Sequence, residues 1–200
     1  MKQLTCISLF IFILLSAAAA QAVTITFENF APAGSLININ PVSPYTESGF
    51  TISVTNSLSA VFDSAVIPDD MPGNLTDFFA FAPSNTATLT FMGGTFDLAS
   101  LLIGPYVPAG TPPITMIIRG TLAGGGTLIS TFPGLTTATT ANLNWVGLQS
   151  VSFNNTSDGG LDDIVVTSSA AVPEVGSLTL LALGLFGVVV AGTRQHGRQV

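Results

Sequence analysis

Cysteine and histidine are almost missing from this chain. Cys6 and His196 are the single instances among 200 residues, and both lie close to the termini. Their absence between Val23 and Ala170 removes disulfides, thiol nucleophiles, cysteine- or histidine-ligated zinc and any Ser-His-Asp arrangement from that stretch. Charge is scarce as well, at 8% of residues against about a quarter in an ordinary soluble protein. What charge there is has one sign. Between Val23 and Ala170 ten carboxylates face one base, Arg119, a net of -9. Nucleic acid is excluded as a partner, because phosphate binding needs clustered Lys and Arg. The polar surface must come from Ser, Thr, Asn and Gly, which suits an exported protein in a sugar-rich setting, and the acidity suits neutral glycans or calcium as ligands. Helical periodicity is the last absence: no window of the central stretch gives a convincing amphipathic helix.

The long apolar runs sit at the two ends. Lys2 precedes an uncharged run from Leu4 to Ala20 that closes on Ala20-Gln21-Ala22. That order predicts a signal peptide over residues 1–22, read by the export machinery and cut by a signal peptidase. At the other end Val172-Pro173-Glu174 is followed by 19 uncharged residues, Val175 to Thr193, and then by Arg194, His196 and Arg198. At about 1.5 Å per residue such a helix nearly matches a hydrocarbon core of about 30 Å, so it is predicted to span a membrane. Lys2 and the stop-transfer pair Arg194 and Arg198 belong on the cytoplasmic side, which places everything between the two runs outside. The expected organisation is a signal peptide (1–22), a folded body (23–167), a linker (168–172) and a C-terminal anchor (173–200).

Pro173-Glu174, one glycine-rich aliphatic span and a short arginine tail together resemble the PEP-CTERM sorting signal of Gram-negative, biofilm-forming bacteria. The resemblance covers Ala171 to Val200. It implies processing near Pro173 and Glu174 by an exosortase, a membrane protease, and delivery to the cell surface or extracellular matrix, among exopolysaccharide. Val175 stands where the second Pro of that motif is usual.

The body reads as all-β. Short runs of Val, Ile, Thr and Phe alternate with Gly, Pro, Asn and Asp clusters, and they predict strands near 23–28, 50–55, 60–62, 78–82, 87–92, 96–103, 114–119, 128–132, 148–153 and 162–167. Leu89 and Phe91 share one face and Thr88 and Thr90 the other, so each such strand is buried on one side and wet on the other. Two packed antiparallel sheets satisfy that demand. Gly93-Gly94 and Gly124-Gly125-Gly126 read as hairpin turns, since a strand and no Lys follows them. The Pro-bearing stretches 31–44 and 105–113 read as connecting loops, Asp69-Asp70 as a solvated turn, and the sequons at Asn74, Asn154 and Asn155 as marks of exposed loops.

The opening Phe27-Glu28, the run Gly93 to Ser100 and the closing Leu161-Asp162-Asp163-Ile164-Val165-Val166 resemble the jelly-roll β-sandwich of carbohydrate-binding modules. That resemblance implies a structural calcium held by Glu28 with Asp162 or Asp163. Trp145, the only tryptophan, is a candidate for stacking on a sugar, and Tyr45 and Tyr106, in Pro-rich loops, are equally open to that role. The same Trp145 beside Leu143, Val146 and Leu148 also reads as core packing. No pair of carboxylates is placed to flank a glycosidic bond, because Asp162 and Asp163 are consecutive in a strand and point to opposite faces. The sequence therefore predicts a non-enzymatic surface or matrix protein, with a carbohydrate-binding module as the alternative.

Overall fold

Each apolar run between turn residues becomes a strand because alternate side chains then reach one interior while the backbone pairs sideways. The computed structural model describes residues 21–63, 70–106 and 113–168, and residues 19–170 form one compact unit. Among the described residues there are twelve strands: β1 (Gln21–Ile25), β2 (Leu36–Ile39), β3 (Tyr45–Glu47), β4 (Phe50–Val54), β5 (Ser59–Phe62), β6 (Phe78–Phe81), β7 (Ala87–Phe91), β8 (Phe96–Pro105), β9 (Ile114–Leu122), β10 (Thr127–Leu135), β11 (Thr139–Asn155) and β12 (Gly159–Ser168). Every ladder between them is antiparallel.

The ladders run continuously in the order β2-β5-β6-β12-β8-β11-β7-β4-β3, with β9 and β10 added beside β11 and β1 beside β12. One strand turns this ribbon into two sheets. The N-terminal part of β11 pairs with β8, from Thr139 to Leu148, whereas its C-terminal part pairs with β7 and β9. Between the two parts the register slips at Asn142/Trp145, Trp145/Leu148 and Leu148/Ser150, and Asn144 (φ 52°) and Gly147 (φ 68°) take left-handed backbone there. Bulges of this kind bend a strand and raise its twist, which lets one strand serve two sheets. The first sheet is β2-β5-β6-β12-β8 with the start of β11, and the second is β3-β4-β7-β9-β10 around its end.

One apolar interior lies between them. Ile25, Val61, Phe79, Phe81, Leu98 and Ile103 from the first sheet join Ile52, Leu89, Ile118, Val151 and Phe153 from the second in a single buried cluster. Phe27, just past β1, meets Tyr45 of β3 at 4.8 Å between ring centroids, and Phe50 of β4 meets Phe96 of β8 edge-on at 5.4 Å. A smaller apolar cluster lies on the outside of the first sheet: Met71, Phe78 and Ala80, with Phe62, Leu102, Tyr106 and Ala138 packed on it.

The structure corrects several expectations. The stretch 31–44 is not all loop, since β2 crosses it and pairs with β5 from Leu36 to Ile39. Its two prolines before β3, Pro41 and Pro44, fall outside the strand, so they do not obstruct pairing. β1 starts at Gln21, opposite Ser168, and stops at Ile25 rather than Glu28. Phe27 and Asn29 both have φ of 61°, which ends the strand and turns the Phe27 ring fully inward. β11 begins nine residues before the predicted strand, because its first half has too polar a sequence to read as one. Asp70, Asn74 and Asn155 are buried, not loop-tip residues. The triple-glycine turn is as expected: Gly125 and Gly126 have φ of 88° and 100° in the link from β9 to β10. Residues 1–20 and 169–200, which hold most of the predicted signal peptide and linker and all of the predicted anchor, lie outside the described residues, while Gln21 and Ala22 of that signal and Ser168 of that linker fall in β1 and β12. Among the described residues no helix is long and apolar enough to cross a membrane.

Candidate functional site

β6 has the sequence Phe-Phe-Ala-Phe, with no polar position for an outer face, and all four residues are buried. Phe79 and Phe81 fill the interior, so Phe78 and Ala80 must be covered from outside. Part of the cover is a strap, residues 70–77. Met71 lies over a row of small residues in which Ala80, Gly160 and Gly104 are directly paired across β6, β12 and β8. A Cβ on Gly160 would stand 2.9 Å from the Met71 sulfur, and one on Gly104 would stand 3.0 Å from the Ala138 Cα. A side chain at either position would have to push Met71 or Ala138 away from the sheet.

Where the strap stops, a cleft of about 270 Å³ remains on the outer side of β2, β5 and β6. Its aromatic wall is Phe62 and Tyr106, whose rings lie 4.7 Å apart, with Phe78 stacked on Phe62 at 5.5 Å. Its rim carries Leu36 and Leu58, both exposed. Asn38, Ser57 and Asp158 add polar groups. The Tyr106 N–H donates to the Asp158 carbonyl at 3.0 Å, which fixes the ring at the end of β8. Burial raises the Tyr106 phenol pKa, and the Asp70 and Asp158 charges add to the rise. The hydroxyl is a neutral donor and acceptor.

The opposite wall, Ser57 to Ser59, is held by one residue. Asn85 is 1% exposed. Its Oδ1 accepts from the Thr55 N–H at 2.8 Å, the Thr55 hydroxyl at 2.7 Å and the Asn56 N–H at 3.0 Å. Its Nδ2 donates to the Asn56 carbonyl at 3.2 Å and to the Ser59 hydroxyl. A buried amide with its acceptor and donors in use rigidifies a loop. Asn85 therefore sets the shape of the cleft, though it follows a Pro-Ser turn and carries no sequence signal beyond that.

With this geometry established, relatives give little more. No protein-family model matches the sequence, and no curated protein matches it. Solved structures do match in part. The carbohydrate-binding module TmCBM61, in complex with β-1,4-galactotriose, aligns at 12% identity over 60% of this chain and 88% of its own, with a TM-score of 0.36. The xylan-binding domain CBM22-1 of Paenibacillus barcinonensis Xyn10C aligns at 11% identity over 78% of this chain and 100% of its own, with a TM-score of 0.34. The arabinose-bound α-L-arabinofuranosidase MgGH51 aligns at 11% identity over 75% of this chain but only 26% of its own, with a TM-score of 0.42. At such scores a functional reading has to stand on the cleft itself.

The residues singled out in the sequence fall in other places. Asp162 is 0% exposed and Asp163 exposed, on either side of a bulge in β12 where Asp163 takes φ of 45°. Asp162 Oδ2 accepts from Asn74 Nδ2 at 2.9 Å and from the Thr76 hydroxyl at 2.6 Å, and its Oδ1 accepts from the Asp163 N–H at 2.7 Å. Burial pushes its pKa up to about 7, against the lowering effect of those three donors, and the Asp163 charge adds to the rise. Glu28 is tied to the same strap, since its Oε1 accepts from the Asp77 N–H at 3.2 Å. The strap thus brings Glu28 and Asp162 together but leaves Asp163 facing away. Three hydrogen-bond donors, Asn74, Thr76 and the Asp163 N–H, occupy the Asp162 carboxylate, and among the described residues no group of three or more His, Cys, Asp or Glu could hold a metal.

Trp145 is half-buried at the corner of β11 and packs on the main interior. A Cβ on Gly120 of β9 would stand 2.9 Å from its ring, so the indole packs directly against that glycine. It does not line the cleft. Pro173, Glu174, Arg194 and Arg198 lie outside the described residues.

Proposed function

We propose that the body is a non-enzymatic carbohydrate-binding domain whose site is the cleft walled by Tyr106 and Phe62. The observation that carries this reading is the pairing of an aromatic wall with a polar rim in a small, preformed concavity. A sugar ring presents a C–H face that packs on the negative face of an aromatic ring, while its hydroxyls need donors and acceptors of the kind that Asn38, Ser57, Asp158 and the Tyr106 hydroxyl supply. Enzyme chemistry is not part of the proposal, because the cleft brings no nucleophile and base together.

The protein carrying this domain is proposed to be exported and sorted by its ends. Lys2 with its apolar run, and Pro173-Glu174 with the span up to Arg194 and Arg198, support export through a signal peptide and processing by an exosortase-like membrane protease. The body would then reside at the cell surface or in the matrix, where exopolysaccharide is the available glycan.

A glycan array probed with wild-type protein, Tyr106→Ala and Trp145→Ala tests the first proposal. Saturable binding that is lost in Tyr106→Ala and kept in Trp145→Ala is expected; binding lost in Trp145→Ala alone would move the site to the corner of β11. The second is tested by mass spectrometry of the mature chain from its native cells. A chain that begins near Val23 and ends near Glu174 is expected, and one that retains Arg198 overturns the sorting proposal.

A further inference from the structure

Resting on the carbohydrate-binding reading, we infer that the cleft takes an amine-bearing sugar, a glycan segment with unacetylated amino groups, rather than an acidic one. Asp158 is the one acidic residue among those lining the cleft. Asp70 and Asp158 both act on the Tyr106 hydroxyl, so the aromatic wall itself stands in a negative potential. No base lies within the lining, and the body's one base, Arg119, is on β9 of the other sheet. The whole stretch from Val23 to Ala170 carries ten carboxylates against that single arginine.

Each group in the cleft then has a partner on such a sugar. The ring C–H face lies on Phe62 and Tyr106. The protonated amine sits beside Asp158 and within the field of the aromatic faces, where a cation is attracted by the ring quadrupole. Hydroxyls meet Asn38 and Ser57. A uronic acid in the same position would bring a carboxylate against Asp158 with no counter-charge, and a fully acetylated sugar would leave Asp158 without one. The cleft volume of about 270 Å³ lies under the roughly 300–1,000 Å³ of sites for drug-sized ligands, so it holds a short segment of a chain and not a branched structure.

The test is calorimetric titration of the full chain, kept soluble in mild detergent, with glucosamine oligomers, N-acetylglucosamine oligomers of the same length and galacturonate oligomers. The glucosamine oligomers are expected to bind about fivefold more tightly than their acetylated forms, the gain of one exposed ion pair and a cation on an aromatic wall. The gap should close at high salt and in Asp158→Asn, and galacturonate should not bind. Equal affinity for the two amino-sugar series, or a gap that survives in Asp158→Asn, overturns the amine preference and leaves the glycan site standing. Glucosamine binding that persists in Tyr106→Ala shows adhesion to the acidic surface at large and overturns it too. No binding across this panel or a broad neutral one, with Tyr106→Ala indistinguishable from wild type, is instead the failure of the site itself. Asp158→Asn should keep the wild-type melting temperature, because the contact that fixes Tyr106 uses the Asp158 main chain.

Discussion

On the second sheet the outward positions of β4, β7 and β11 are Thr51, Ser53, Thr88, Thr90, Ser150 and Ser152, all partly exposed, while on the first sheet the outward positions of β6 are Phe78 and Ala80, both buried. The two sheets share one interior and differ only in what they turn away from it. A hydroxyl face needs nothing laid over it. An aromatic face has to be covered, and the strap with Met71 covers most of it. The cleft is what the strap leaves open, so the candidate site follows from a sheet built apolar on both faces and incompletely roofed. The strap depends in turn on Asp162, through Asn74 and Thr76, and on the Asn74 N–H bond to the Met71 carbonyl at 2.8 Å.

Adjacent residues of β6 offer the sharpest way to break this comparison. Phe79→Ala, in the interior, should cost about 4 kcal/mol in urea unfolding and Phe78→Ala, on the roofed outside, about 3 kcal/mol. A Phe78→Ala cost near zero would make the outer face an ordinary solvent face. The next largest effect is one of pH. Because Asp162 has a folded pKa of about 7, above its unfolded value, the fold favours the neutral acid. Its contribution is complete below about pH 4, declines above it and is gone once pH has risen through 7, on the order of 4 kcal/mol in all. Unfolding followed from pH 4 to 8 should show that decline, and Asp162→Asn should flatten it.

Gly104→Val tests the closeness of the roof: the added side chain meets Ala138 main-chain atoms at 3.0 and 3.2 Å and should cost about 2 kcal/mol. Thermal melts that show no change would mean that Ala138 and the strap can lift. On the second sheet Ser152→Ala should stay within about 0.5 kcal/mol. The smallest effect expected is that of calcium, which should leave the melting temperature where it was. A rise would show an ion drawn to Glu28 and Asp162 after all, since a native-state ligand must stabilise.

The second sheet carried the clearer alternation in the sequence, although its edge strand β3, Tyr45–Glu47, was missed. Leu89 between Thr88 and Thr90, and Val151 and Phe153 between Ser150 and Ser152, carry the two-residue period that marks a strand with one wet face. β6 was found as an apolar run, but a run without alternation does not say that its outer face is roofed. β2 was hidden by the prolines around it and the first half of β11 by its Thr and Asn content. The corner in β11 could not be read at all, since bulges at Asn144 and Gly147 shift the register that periodicity assumes. The candidate site was less legible still. Residues near positions 36, 58, 62, 106 and 158 meet only because β2, β5, β6, β12 and β8 pair side by side. Trp145 stands out by its chemistry, while Asn85, after Pro83 and Ser84, carries no signal of its own.

The pairing of β1, from Val23 to Ile25, with the C-terminal half of β12 has a mechanical consequence. The chain enters and leaves the body at neighbouring points of one ladder, so a tether at either end suspends the domain from a single corner. Pull on a glycan held at the cleft would travel lengthwise along β12 to that corner. β12 is bonded to β8 on one side and to β6 and β1 on the other, and bonds perpendicular to the strand resist such a load together rather than one after another. A domain hung this way is built to hold under shear.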